Sequence, residues 1–326
     1  MIIIQTEKND RSTNDVIDWL KYYKNTKINL LHNQYRINSL RIELNNSFTR
    51  IEINKVNISE QFKYWYRRGY FSFVESSEVR NYYDEVLYKY IMLESDTIKE
   101  YLSYCFYDIG LGINNQEENR ASKIKNLHFA RKAKLNIPHT QITSSIESLI
   151  NFSKLFDKII FKPIMVPVIN FSDANKSYTF GFMPKVIDHN SILSFIGTKK
   201  IHSIAPSFMQ QYIEKKYELR IFYLNETIMP MCIMSQSNIM TQYDFRNYDY
   251  SRPNRIVPYN LPTGIVKKIQ KFAQFSGIKC GSIDMIVTPN DEYYFLEVNS
   301  VGQFQWLSKG CNYFIERHIA QYYGQI

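Results

Sequence analysis

Short apolar runs separated by polar stretches mark the N-terminal third as alternating strands and helices. Ile2, Ile3 and Ile4 lead directly into Gln, Thr, Glu and Lys, which reads as a first strand. The runs SLRIEL, IEINKV and SFV predict further strands, and the periodicity of Val16 to Tyr23 and of Ser77 to Leu93 predicts helices between them. Residues 1 to about 110 therefore read as an α/β unit. A polar stretch from Asn114 to Arg120, just after Gly110 and Gly112, marks a boundary, and Ala121 to Lys134 reads as a helix ending at Asn136 before Pro138. Beyond it, KIIFK running into Pro163, then ELRIFYL, MCIMS, SIDMIV and YYFLEV, predict strands, with helices at Ile265–Phe275 and Cys311–Tyr323. The fold class is α/β or α+β.

Composition supports an ordered chain long enough for two or three packed subdomains: 326 residues, 44% hydrophobic and 15% aromatic. The apolar opening is too short for a signal peptide, and no window reaches the roughly 20 apolar residues of a membrane helix. The most hydrophobic stretch, residues 159 to 171, is interrupted by Lys162, Pro163 and Pro167. Cys105, Cys232, Cys280 and Cys311 lack zinc or disulfide spacings, so reduced thiols and a cytoplasmic address are expected, with no membrane partner. The excess of 40 Lys and Arg over 31 Asp and Glu suits nucleic acid, an anionic nucleotide or an acidic peptide, and charge alone does not separate them. No nucleic-acid motif is present, so nucleic acid is not expected as a partner.

The segment GSIDMIVTPNDEYYFLEVNS carries the most chemistry. Two strands joined at Pro289-Asn290-Asp291 would bear Asp284 on the first, and Glu297 and Asn299 on one side of the second. Hard oxygen donors of this kind suit magnesium that also holds phosphate oxygens; solvated hairpin charge is the plainer alternative. The flanking Ile283, Met285, Ile286, Phe295, Leu296 and Val298 favour the former, because carboxylates among buried residues need a partner or a metal. Glu218 and Arg220, two apart on a strand, read alone as a same-face ion pair. WYRRGY places Arg67 and Arg68 between aromatics, which fits either an acidic or extended peptide or a surface turn.

An Asp, a hairpin and then FLEVN resembles the metal signature of the ATP-grasp superfamily, whose fold sets an N-terminal α/β domain before two lobes that clamp ATP. The resemblance implies ATP and two magnesium ions on Asp284, Glu297 and Asn299. It divides the chain into a pre-ATP-grasp domain at 1–117, a central lobe at 118–207 and a C-terminal lobe with the metal site at 208–326. QQYIEKKYELRIFYL is similar to the segment linking the lobes, which places Gln211, Tyr212 and Ile213 at adenine, Glu218 at the ribose and Arg220 at the phosphates. Lys162 and Lys123 resemble the phosphate-contacting lysines, although an exposed helix face explains Lys123 as well. TQYDFRNYD resembles the Asp-aromatic-Arg motif, which implies Arg246 at the γ-phosphate or acyl phosphate and Asp244 positioning it on the substrate-peptide side.

Within that superfamily the opening IIIQTEKNDRSTNDVIDWL, WYRRGY and FLEVNSVGQFQWL, with Gly302, Gln303 and Trp306, are similar to the graspetide (microviridin-type) peptide maturases, above all the grasp-with-spasm branch. The resemblance implies a macrocyclase that phosphorylates Asp or Glu carboxylates of a precursor peptide and joins them to Ser or Thr hydroxyls or Lys amines. It makes the leader and core of that precursor the partners, with Arg67 and Arg68 as peptide contacts, and leaves room for a homodimer. A ligase joining small amino acids, or adding them to a protein terminus, shares the same nucleotide residues. One departure is that no glycine lies between Pro163 and Phe180, so NFSDANKSYTF would have to cover the phosphates.

Overall fold

The computed structural model describes residues 1–23, 27–32, 36–58, 62–73, 84–110, 112–115, 122–164, 168–172, 177–199, 203–238, 240–241 and 249–324. The chain begins with β1 (Ile2–Thr6), α1 (Arg11–Tyr22), β2 (Ile28–His32), β3 (Leu40–Leu44), β4 (Thr49–Ile53), β5 (Val56–Asn57), β6 (Lys63–Tyr66) and α2 (Glu85–Ile109). There follow α3 (Lys123–Lys132), β7 (Thr140–Thr143), α4 (Ile146–Ser153), β8 (Ile159–Lys162), β9 (Val168–Ser172), β10 (Ser177–Gly181), β11 (Lys185–Ile187), α5 (His189–Lys199) and β12 (Ser207–Gln211). The last part runs β13 (Tyr217–Leu224), β14 (Thr227–Met234), β15 (Arg255–Pro258), α6 (Thr263–Ser276), β16 (Cys280–Val287), β17 (Tyr293–Asn299), α7 (Gln305–Cys311) and α8 (Ile315–Gly324). Two compact units result: Met1–Arg120 with Ile278–Gly281 and Asn299–Ile326, and Ala121–Gly277 with Ser282–Val298.

In the first unit β1 is the middle strand of the order β2-β1-β6 and pairs in parallel on both sides. A strand covered on both faces is apolar at successive positions rather than alternately, which is why IIIQT is buried throughout. Asp10 accepts from Ser12 N at 2.9 Å and caps α1, so this helix starts five residues before its apolar periodicity begins at Val16. Asp84 likewise caps α2, which continues to Ile109 instead of stopping near Leu93; the charges from Glu94 to Glu100 lie on its outer side. Phe106 anchors the core with Phe62, Tyr64 and Phe71 around its ring. The closing helix expected at Cys311–Tyr323 is α8, which starts only at Ile315 because Asn312 and Phe314 adopt left-handed backbone at φ 54° and 52°; α7, which ends at Cys311, precedes it.

The second unit holds a four-stranded sheet, β11-β8-β12-β7, a two-stranded one, β9-β10, and most of a five-stranded sheet, β15-β14-β13-β16-β17. The glycine-poor stretch forms β9 and β10, paired antiparallel from Val168–Gly181 to Ser172–Ser177. In α6, Ile269, Phe272 and Ala273 turn inward, and Gly277 at φ 75° ends the helix where a side chain would be strained. No described helix is long and apolar enough to cross a membrane.

Candidate active site

Adjacent strands of the five-stranded sheet bring three segments together. β13 carries Glu218 and Arg220, its neighbour β16 carries Asp284, and β17 beside it carries Glu297 and ends at Asn299. The turn between β16 and β17 is closed by Asp291 N to Thr288 O at 3.0 Å, with Asp291 at φ 58°. It lies where Pro289-Asn290-Asp291 predicts it. Asp284 is the one residue of β16 that is not fully buried.

Arg220 Nη1 donates to both oxygens of Asp284, at 2.7 and 2.6 Å. The side chains are only 10% and 16% exposed, so the pair is shielded from water. Burial, with the negative charges of Glu297 and Glu218, pushes the Asp284 carboxyl up to about 6, although Arg220 pulls the other way. Arg220 pairs with Asp284 alone, while Glu218 has Lys215 at 2.6 Å and Glu297 has Lys123 at 3.7 Å, so each carboxylate of the group stands beside a cation. The hard oxygen donors of Asp284, Glu297 and Asn299 are of the kind magnesium takes; among the described residues no three His, Cys, Asp or Glu side chains form a metal cluster by themselves. Arg220 Nε is buried without a hydrogen-bond partner, an open donor suited to an anion.

The lysines reach the same region of the unit. Lys123, the first residue of α3, donates to Pro163 O at 3.0 Å and lies 3.7 Å from Glu297 Oε2. Its neighbour in this arrangement, Lys162 at the end of β8, donates to Gln210 Oε1 at 2.9 Å, and Gln210 in turn donates to Thr140 Oγ1 at 2.9 Å. Glu218 accepts from Lys215 Nζ at 2.6 Å and Ser235 Oγ at 2.8 Å. Gln210, Lys215 and Ser235 were not singled out from the sequence. Gln210 alone carried a signal, being a polar pair with Gln211 next to an apolar run.

The backbone N–H groups of Gln211 and Tyr212 donate to His139 O and Lys158 O at 2.8 and 3.1 Å, which fixes the end of β12, and Ile213 is buried. Arg246 and Asp244 lie outside the described residues.

Arg67 departs from its expected role as a peptide contact, because it is spent inside the first unit. Its side chain is 4% exposed and pairs with Asp10 at 3.2 Å, donates to Ser12 Oγ at 2.9 Å and to Val301 O at 2.8 Å, and lies over the Phe304 ring. Arg68 is half-buried and the more accessible of the two, at 33%, with Glu7 and Asp10 each 3.9 Å away. Asn114 Nδ2 holds the preceding carbonyl, Ser300 O, at 3.0 Å. The turn that follows β17 is thus gripped at successive carbonyls. A Cβ on Gly281 would meet Asn299 O at 3.1 Å and Ser300 Cα at 3.2 Å, so glycine is required there for the approach of the two backbones. Of the expected tail residues, Gln303 is exposed, while Gly302 and Trp306 are half-buried.

A profile described as the RimK-like ATP-grasp domain matches residues 120–323. The D-alanine–D-alanine ligase of Thermosipho africanus (strain TCF52B) is 24% identical over 208 residues, 51% of this chain and 54% of its own. The chain therefore spans little more than half of that relative's length. Among solved structures, a RiPP-associated ATP-grasp ligase of Chryseobacterium gregarium, in complex with ADP and a leader and core peptide, superposes with a TM-score of 0.75 at 23% identity over 99% of this chain and 95% of its own. The macrocyclase MdnC of Microcystis aeruginosa MRC, bound with precursor peptide MdnA, gives 0.74 at 24% identity over 98% of both chains. These two likenesses are of fold.

Proposed function

The chain belongs to the RimK-like ATP-grasp family, and from that membership we propose that it is an ATP-dependent ligase that closes rings in a peptide by joining side-chain carboxylates to side-chain hydroxyls. The observation that carries the peptide reading is coverage. Likeness to the two peptide-bound structures takes in 98% or more of this chain, including the N-terminal residues before the family match begins at 120, whereas the amino-acid ligase matches 51% of it.

In this reading Gln211, Tyr212 and Ile213 flank adenine, Glu218 holds the ribose, and Lys123, Lys162 and Arg220 take the phosphates. Two magnesium ions on Asp284, Glu297 and Asn299, when bound, would neutralise charge on the phosphate oxygens. An Asp or Glu carboxylate oxygen of the peptide attacks the γ-phosphorus, the bond to ADP breaks, and an acyl phosphate forms on the peptide. A Ser or Thr hydroxyl oxygen then attacks the acyl carbon; phosphate leaves and takes up the hydroxyl proton, giving an ester. A Lys amine would give an amide by the same path. Arg220 supplies fixed positive charge where negative charge develops, and Arg246 does so on the acyl-phosphate side with Asp244 positioning it. Arg68 is the more accessible cation offered to the peptide.

Mass spectrometry of a Thr- and Glu-rich candidate precursor incubated with the protein, ATP and magnesium is the direct test. ATP-dependent losses of about one water per ring are expected, as condensation requires. An unchanged peptide, together with phosphate release on free amino acids, would replace this reading with that of a small-molecule ligase, which the match to the D-alanine–D-alanine ligase favours.

A further inference from the structure

Two helices of the second unit carry an unbalanced charge that the proposed chemistry does not use. α3 reads KIKNLHFARK and α6 reads TGIVKKIQKFAQFS; neither contains an Asp or Glu, and the two helices pack against each other. Asn126, Leu127 and Ala130 of α3 and Ile269, Phe272 and Ala273 of α6 turn inward. Lys125, Arg131, Lys132, Lys267 and Lys271 are consequently left exposed, with Lys268 half-buried. Among the described residues none of these six makes an ion pair. Like charges on packed helices repel and are not there for stability; balanced surfaces place acids among them.

The face also has apolar contacts to offer. Phe275 is 43% exposed with Lys132 Nζ 5.0 Å from its ring centre, and Ile124 is 41% exposed. One end of it reaches the candidate site, since α3 begins with Lys123, whose Nζ lies 3.7 Å from Glu297.

We propose that the α3–α6 face is a docking surface for the acidic, uncyclised segment of the substrate peptide. The inference rests on the macrocyclase reading, which requires a substrate with an Asp or Glu carboxylate for every ring to be closed. A polycarboxylate peptide is then the occupant complementary in charge to a surface of cations free of anions. Each ester consumes one carboxylate and removes one negative charge from the peptide. The face therefore binds the linear substrate more tightly than the finished product, and ring closure itself weakens the hold. Nucleic acid has the same sign of charge but no place in that chemistry.

The test uses a fluorescein-labelled peptide of alternating Glu and Thr, read by anisotropy with the full chain in the absence of ATP and magnesium. Binding is expected to weaken by about tenfold or more in Lys132→Glu/Lys267→Glu/Lys271→Glu, and with salt raised from about 50 to about 300 mM. A Gln-for-Glu version of the peptide is expected not to bind. The three positions are exposed, and circular dichroism of this variant and of its Gln counterpart establishes that both are folded. Equal binding by wild type and folded variant overturns the proposal, and so does a single-stranded RNA of equal length that displaces the peptide at lower concentration. Because no turnover is read, a peptide that binds through this face yet never loses water would refute the macrocyclase reading and leave the face a polyacid-binding surface.

Discussion

Among the described residues two arginines are buried, and they differ in one respect. Arg67, in the first unit, finds an acceptor or an aromatic face in every direction: Asp10, Ser12, Val301 O and Phe304. Arg220, in the second, has a firm grip on Asp284 through Nη1 but a buried Nε with nothing to donate to. A fully satisfied buried cation belongs to the architecture, whereas a buried donor without a partner leaves room for one more acceptor. The difference teaches that burial alone does not separate a structural arginine from one with a donor to spare.

The sharpest way to break that comparison is Glu297→Gln. It keeps volume and fold while removing a charged oxygen next to Asp284, and turnover measured by peptide mass loss is expected to fall by more than about 100-fold. Next comes Arg220→Met, expected to lower turnover by about 100- to 1,000-fold as a charge-stabilising donor is lost. Thermal unfolding of that variant should stay near wild type, because the Asp284 carboxyl, already pushed up to about 6, can take a proton instead of remaining an unpaired charge. Arg67→Met should do the reverse, costing about 3–5 kcal/mol of stability by stranding Asp10. A melting temperature lower for Arg220→Met than for Arg67→Met would show that the two roles are misassigned. Smaller again is Gly281→Ala, for which about 1–3 kcal/mol is expected from crowding Asn299 O and Ser300 Cα, read from urea unfolding. Arg68→Ala should be the mildest, within about 0.5 kcal/mol in stability, with any deficit confined to the peptide KM.

The C-terminal sheet was the most legible part of the chain. ELRIFYL, SIDMIV and YYFLEV correspond to β13, β16 and β17, as KIIFK does to β8 of the four-stranded sheet, since these strands are written as dense apolar runs broken or flanked by only one or two charges. The helices were less so. α2 carries Glu94, Asp96, Lys99 and Glu100 midway, and a helix with so much exposed surface offers little periodicity to read. β7, α4 and α5 were missed, being short and of mixed polarity, and the break between α7 and α8 rests on two left-handed residues, Asn312 and Phe314, of which only Asn has a preference for that region. At the site, Glu218, Arg220, Asp284 and Glu297 could be named beforehand from spacing and resemblance. The role of Arg67 could not, because its acceptors Val301 O and Gly302 O are backbone atoms more than two hundred positions away, and sequence does not advertise carbonyls.

The first unit is assembled from both extremities of the chain. α8 packs on α1, the Tyr323 hydroxyl donates to Tyr64 O at 2.8 Å, and Lys63 Nζ donates to the Tyr323 carbonyl. During synthesis the opening strands therefore emerge from the ribosome long before the residues that complete their packing. A stop near residue 310 would then do its damage far back in the sequence, by leaving Tyr64 and the α1 face uncovered.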